Sequence, residues 1–342
     1  MANVTLLPSP IELRMFGGTV TLTAALFALF GNLALIGVSA KSFSSFRKFP
    51  FFLITWQMVI GDLMVILAQL FVAVPIMYAG HNVFHKLRLF PYILTLVDSY
   101  GYLSNMFFGL LMILNRFFIF CIPRVNGLLF GKRSVLITIS ITWIFVISRS
   151  TFSYLAGCIK LFIPEKLHFR PSCRGAGDVA RTFSRFGMYE SYVLPGIMFV
   201  LYIAVLVKIR YEFRVKLRVA AKSQQQSKKA KMELRLLLQS MIICGMLQIE
   251  TLSFALLPKI RLNMPAQGYL NVMIGLLSLV NSSTHPVVLF VFNTDVKQGL
   301  RNLFKKGTTV QTFSVSQSIS KKLQDNSAST LMRRRGTVIS VS

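Results

Sequence analysis

Long uncharged stretches alternate along this chain with short, strongly basic connections. Twenty-six residues between Arg14 and Lys41 carry no full charge, and neither do thirty-three between Arg261 and Asp295. Between Lys48 and Lys86 only Asp62 is charged, and between Arg88 and Arg116 only Asp98. Three further windows fit the pattern: 134–159, interrupted by Arg149; 191–207, uninterrupted; and 236–258, interrupted by Glu250. About 20 apolar residues of helix cross a bilayer core, since each residue rises about 1.5 Å through about 30 Å of hydrocarbon. The pattern therefore predicts seven spans, at 16–40, 50–78, 91–120, 134–158, 188–208, 234–258 and 267–292. The implied fold class is all-α, an integral membrane seven-transmembrane helix bundle.

Local signals refine this outline. Pro50 and Pro91 suit the first turn of a helix. Pro75 and Pro195 fall inside spans, where they predict kinks whose freed carbonyls neighbouring helices satisfy. Past span seven, Val296, Leu300, Leu303 and Phe304 recur at helical spacing among Lys297, Arg301, Lys305 and Lys306. That is the pattern of a short amphipathic helix on the inner membrane surface. Beyond Gly307 the chain is rich in Ser and Thr, ends near the basic run Arg333-Arg334-Arg335, and is expected to be disordered. Three regions result: an extracellular N-terminus at 1–15, a seven-span membrane domain with its surface helix at 16–306, and a cytoplasmic tail at 307–342. No internal repeat stands out, nor the inverted pair of broken segments common in secondary transporters.

Composition narrows the class. With 54% hydrophobic and 14% charged residues in 342, the chain is too apolar for a soluble fold, and the spans leave no room for a catalytic module. The first residues lack a basic n-region, so span one is expected to act as signal-anchor. The net charge of +27 would suggest nucleic acid in a soluble protein. Its distribution argues otherwise. With the N-terminus outside, 26 of the 38 Lys and Arg residues fall on the cytoplasmic side, where they meet anionic lipid. The bilayer, not nucleic acid, is thus the expected partner of this charge. The fourth-to-fifth connection is basic too, with Lys160, Lys166, Arg170, Arg174, Arg181 and Arg185 against Glu165 and Asp178, a set able to steer an anionic ligand.

Ionisable residues within spans are costly and mark function by default. Asp62 lies midway through span two, with Asn32, Asn281, Ser282 and His285 as available polar partners, and reads as an ion or water site or as a structural polar cluster. Asp98 and Arg116 stand eighteen residues apart on span three, five whole turns or about 27 Å on one face. One helix thus presents an acid outward and a base inward. Asp98 is too deep for free solvation, so Arg149, protonation or a cationic ligand must offset it. Catalysis is a poor reading. His81, His85 and His168 fall in loops, and no His-Glu-x-x-His, paired metal-ligand cysteines or phosphate-cradling glycine loop occurs. No enzyme activity, cofactor or metal is expected. Cys121 and Cys244 read as packing residues.

Taken together, Gly31-Asn32, Asp62, Asn115-Arg116-Phe117, Trp143, Pro195 and Asn281-Ser-Ser-Thr-His-Pro286, with the amphipathic helix after them, resemble rhodopsin-like G-protein-coupled receptors over residues 31–306. Asn-Arg-Phe in the phrase LLMILNRFFIFCIPR is most similar to the nematode serpentine chemoreceptors, the srx-type group or a relative. The resemblance implies an extracellular small-molecule ligand, a cytoplasmic heterotrimeric G protein, and an arrestin or kinase at the phosphorylatable tail. It also implies a plasma-membrane location with the N-terminus outside, in a sensory cilium for a chemosensory member. Asp98, Tyr102, Glu190 and Glu250 become the candidate ligand contacts. Asn32, Asp62, Asn281 and His285 form the candidate polar core, and Asn115, Arg116 and Phe117 face the G protein. In aminergic members of the resembled class an aspartate at the Asp98 offset binds the ligand amine.

Departures from the resembled pattern are specific. Pro91 occupies the place of the usual span-three cysteine, so Cys158 and Cys173, fifteen residues apart and both on the outer side, are expected to pair locally. Span six lacks Trp-x-Pro, and span seven has His285 and Leu289 where asparagine and tyrosine are usual. Asn3 heads a sequon, Asn3-Val4-Thr5, useful only if luminal. The competing class is a small-solute transporter or channel lined by Asp62, Asp98, Glu250 and Arg149, and within receptors an amine or neuropeptide receptor.

Overall fold

The computed structural model describes residues 9–41 and 50–304, apart from 85, 88, 132, 174–176, 220–223 and 261. Nine helices are named here: α1 (Ile11–Lys41), α2 (Pro50–Ala79), α3 (Leu89–Cys121), α4 (Pro123–Leu129), α5 (Ser134–Leu155), α6 (Asp178–Val219), α7 (Gln224–Leu256), α8 (Ala266–Phe292) and α9 (Thr294–Phe304). Seven helical segments are long and apolar enough to cross a membrane, the fifth at Arg185–Tyr211 and the sixth at Leu238–Lys259. The candidate surface helix of the sequence is α9, with Val296 buried and Gly299 against Val38 of α1. Asn3 and the tail serines and threonines lie outside the described residues.

The outer faces of the bundle are apolar. Phe27, Phe30 and Leu33 on α1 and Leu136, Ile137, Ile141 and Ile144 on α5 are exposed, whereas Asp62, Asp98, Asn105 and His285 are buried. A chain in hydrocarbon gains nothing by hiding leucine, but an unsatisfied polar group there is expensive, so polar residues turn toward one another. Small residues set the closest helix approach. At Gly61 on α2 and Gly101 on α3 an added Cβ would stand 3.0 Å and 2.5 Å from the facing backbone oxygen, so the two helices touch backbone to backbone.

Three boundaries differ from the expected ones. α1 begins at Ile11 inside the expected N-terminal region, and α6 and α7 continue well past the apolar windows of spans five and six. Hydropathy locates hydrocarbon, whereas a helix ends only where its backbone hydrogen bonds do. Near Pro75 the ladder of α2 widens into a π-helical turn, Gln69–Ala73. A proline without an N–H makes such a register change cheap.

The fold is not purely helical. The fourth-to-fifth connection forms an antiparallel hairpin, β1 (Ile159–Ile163) with β2 (His168–Ser172), in register Ile159 with Ser172 and Ile163 with His168. Leu167 in its turn has φ 54° and is almost fully buried. With Phe162 it packs against Leu13, Val72, Ala73, Ile76, Met77 and Val272 of α1, α2 and α8. The hairpin is thus docked into one end of the bundle. Ser9 Oγ donates to Glu165 O at 2.9 Å and Asn271 Nδ2 to Lys166 O at 2.7 Å, fixing its turn to the segment just before α1 and to α8. Its free-standing stability would be marginal, so this docking is what orders it.

Candidate functional site

Helix α3 carries a polar stripe through the bundle, because Asp98, Tyr102, Asn105 and Arg116 recur near multiples of 3.6 residues. Three clusters sit along it.

At the hairpin end, Lys160 of β1 forms an ion pair with Asp98, whose side chain is 3% exposed. The ammonium also lies 5.3 Å from the centre of the Phe169 ring, on the paired strand. This corrects the expected partner. Arg149 does not reach Asp98; its Nη2 lies 2.8 Å from Glu190 Oε2, linking α5 to α6. The reason is topological. The chain turns back on itself after α5, and residue 160 arrives over α3 while Arg149 faces α6. Glu190, a candidate ligand contact, is therefore occupied by Arg149.

Tyr102, one turn further along α3, has its hydroxyl near those of Thr251 and Ser191 and meets Phe254 edge-on at 5.9 Å between ring centres. Glu250, one residue before Thr251 on α7, is 3% exposed and interacts with the Ser278 hydroxyl of α8. The structure thus brings Asp98, Tyr102 and Glu250 into one buried polar cluster, with Lys160 and the hydroxyls of Thr251 and Ser278 added. His168 closes the hairpin turn. Burial, followed by the adjacent Lys166 and Arg170 cations, holds its imidazole below the usual histidine range, so it stays neutral at neutral pH.

The middle cluster joins α1, α2, α3 and α8. Asp62 Oδ1 accepts from Asn105 Nδ2 at 2.8 Å, and Asp62 Oδ2 lies 2.5 Å from His285 Nδ1. Asn32 Nδ2 donates to Ser282 O at 2.9 Å, and Asn281 is buried in the same layer. All four candidate core residues fall together here. Asn105 was missed, although it lies seven residues after Asp98, two turns along the same stripe.

At the α9 end, Arg116 is buried and its guanidinium stands 4.7 Å from the centre of the Phe51 ring of α2. Asn115 Nδ2 donates to Asn126 Oδ1 of α4 at 3.1 Å, and Phe117 meets Phe118 edge-on. The Tyr202 hydroxyl donates to the Ser240 carbonyl, tying α6 to α7. Trp143 Nε1 donates to Gln57 Oε1 at 2.8 Å, tying α5 to α2. Outside the clusters, Cys158 and Cys173 are joined as a disulfide, closing the connection from the end of α5 to the end of β2.

Among the described residues no group of three or more His, Cys, Asp or Glu side chains is placed to hold a metal ion. A solute path lined by Asp62, Asp98, Glu250 and Arg149 is not assembled among the described residues either, since Arg149 turns to Glu190 and Asp62 is held by Asn105 and His285 in a cluster apart from Asp98 and Glu250. Comparison with curated proteins finds none that matches. The family model described as Serpentine type 7TM GPCR chemoreceptor Srx matches residues 24–293, most of the chain, and the protein therefore belongs to the Srx serpentine chemoreceptors, a family of G-protein-coupled receptors.

Proposed function

We propose that the hairpin end faces outside the cell and receives a small-molecule ligand, while the Arg116 end faces a cytoplasmic heterotrimeric G protein. The carrying observation is the polar cluster in which Asp98, Tyr102 and Glu250 from two helices meet near a disulfide-closed hairpin. Few places in a membrane bundle gather so many polar groups without a ligand or ion to justify the cost. Lys160 already neutralises Asp98, so simple capture of a cation at Asp98 is not the first determinant of binding.

In this reading α3 is the shared element. A ligand that fits the cluster better in the active arrangement shifts an existing equilibrium, and α3 carries that shift past the Asp62–His285 pair to Arg116. Asn115, Arg116 and Phe117, with the basic segment 208–235, border the G-protein cleft. Phosphorylation of the tail at Thr308, Thr309, Thr312, Ser314, Ser316, Ser318 and Ser320 recruits an arrestin-like partner, each phosphate adding about −1.5 to −2 charge. The basic asymmetry and the Asn3 sequon support an outside N-terminus at the plasma membrane, in a sensory cilium where the cell has one.

The test is agonist-dependent nucleotide exchange by purified receptor with a purified G-protein heterotrimer, set against solute flux in the same vesicles. Exchange without flux is expected. Flux without exchange would replace the receptor reading with a transport one.

A further inference from the structure

Counting charge partners at the hairpin end of the bundle leaves one acid over. Asp98 is paired with Lys160, and Glu190 with Arg149. Glu250 is as buried as Asp98, yet among the described residues no Lys, Arg or His lies within ion-pair distance of it. Its direct neighbour is a hydroxyl, Ser278, and Lys160, Asp98 and Asp62 act on it only at longer range. Two carboxylates therefore share the influence of a single ammonium. We propose that the ligand carries a cationic nitrogen, a primary or secondary ammonium, and that its partner is Glu250 and not Asp98.

Three features fit that chemistry. A desolvated carboxylate is costly unless a cation meets it, so a ligand ammonium gains at Glu250 what no residue of this chain supplies. The faces for its substituents are present, since Phe254 follows Glu250 by one helical turn and its ring meets Tyr102 edge-on. Carboxylate plus aromatic rings is the combination that recognises an organic ammonium and discriminates against a neutral isostere. Finally, the hairpin cation guards the alternative site. Lys160 stays on Asp98 with Phe169 beneath it, which directs a second cation toward the vacant acid. An anionic ligand, favoured by the basic surface of the connection alone, would meet two carboxylates on entry.

This rests on the cluster of Asp98, Tyr102 and Glu250 being the ligand site, and the experiment separates the two ideas. Full-length receptor in lipid nanodiscs is assayed for G-protein nucleotide exchange, and for melting temperature, with matched pairs of probes: phenethylamine against phenethyl alcohol, and hexylamine against hexanol. Glu250→Gln keeps the shape and the Ser278 contact but removes the charge; Glu250→Asp keeps the charge. The amine of a pair is expected to activate or stabilise wild type, and Glu250→Gln to raise its half-maximal concentration by about tenfold or more, with Glu250→Asp losing less. If Glu250→Gln leaves amine potency unchanged at equal surface expression, or if no amine in the panel either activates or stabilises, the cation assignment is wrong. An alcohol that acts as well as its amine, and loses potency on Tyr102→Leu or Ser278→Val, overturns the cation assignment while leaving the cluster as the ligand site. A ligand that activates with potency unmoved by Tyr102→Leu, Ser278→Val and Glu250→Gln overturns both.

Discussion

Replacing Gly101 with alanine attacks the backbone-to-backbone contact between α2 and α3. The new Cβ would stand 2.5 Å from the Gly61 carbonyl oxygen, 2.9 Å from Met64 Cβ and 3.0 Å from Val65 Cγ2. The first obstacle is the backbone of another helix, which cannot rotate away. Ordinary contact begins near 3.4 Å, so α2 and α3 must part locally by about 0.9 Å. The same displacement would stretch the 2.8 Å bond from Asn105 to Asp62, one turn away, beyond hydrogen-bonding range. Overpacking costs about 1–3 kcal/mol. A lost interhelical hydrogen bond in a membrane adds about 0.6 kcal/mol on average. The better helix propensity of alanine returns about 0.5–1 kcal/mol. The net expectation is a loss of about 1–3 kcal/mol, seen as a melting temperature lower by at least about 3 °C in detergent micelles. Gly245→Ala and Gly275→Ala are the internal controls, because nothing lies within 4 Å of either Cβ position. Both should be neutral or slightly stabilising. If Gly101→Ala melts with the controls, backbone contact between α2 and α3 does not constrain the bundle.

Other outcomes follow from single contacts. Asp98→Lys alone should cut surface expression, and the exchange with Lys160→Asp should restore most of it, read by flow cytometry of an N-terminal epitope; no rescue would mean the pair is incidental. His285→Ala leaves Asp62 buried without its imidazole partner, a loss of about 3–5 kcal/mol that should show as poor folding, whereas the double variant His285→Ala with Asp62→Asn should recover much of it. Breaking the disulfide with Cys158→Ser should cost about 3 kcal/mol for a loop of this length and loosen the hairpin, measured as faster amide exchange at 159–172. His168 is held neutral, so its contribution to stability is whole above the unfolded value of about 6.5 and is lost as pH falls toward its lower folded value. The wild-type melting temperature should therefore drop more than that of His168→Gln on acidification through that window; parallel curves would refute the assignment.

Much of this molecule was legible in order of residues alone. The seven apolar windows, the surface helix and the Asp62 cluster follow from one rule, that hydrocarbon tolerates neither exposed backbone nor lone charge. So did the coincidence of Asp98 and Arg116 on one face, since a helix converts sequence spacing directly into angle. The Cys158 and Cys173 thiols could be paired in advance because the connection holding them is short.

Partner identity was another matter. Asp98 needed an offset to its charge, and the sequence offered Arg149, protonation or a cationic ligand; Lys160 took the place because a hairpin folds back over α3. A five-residue strand with Lys, Phe and Ile in it reads as unstructured connection until its docking against Leu13, Ile76 and Val272 is seen. Glu250 looked like one acid among several, and only the closure of the two neighbouring ion pairs left it singled out. Periodicity within a helix is fixed by local backbone geometry, so the sequence by itself determined the spans and the polar stripe of α3. Which charges meet across helices depends on contacts between residues far apart in the chain, and those were decided by the tertiary structure alone.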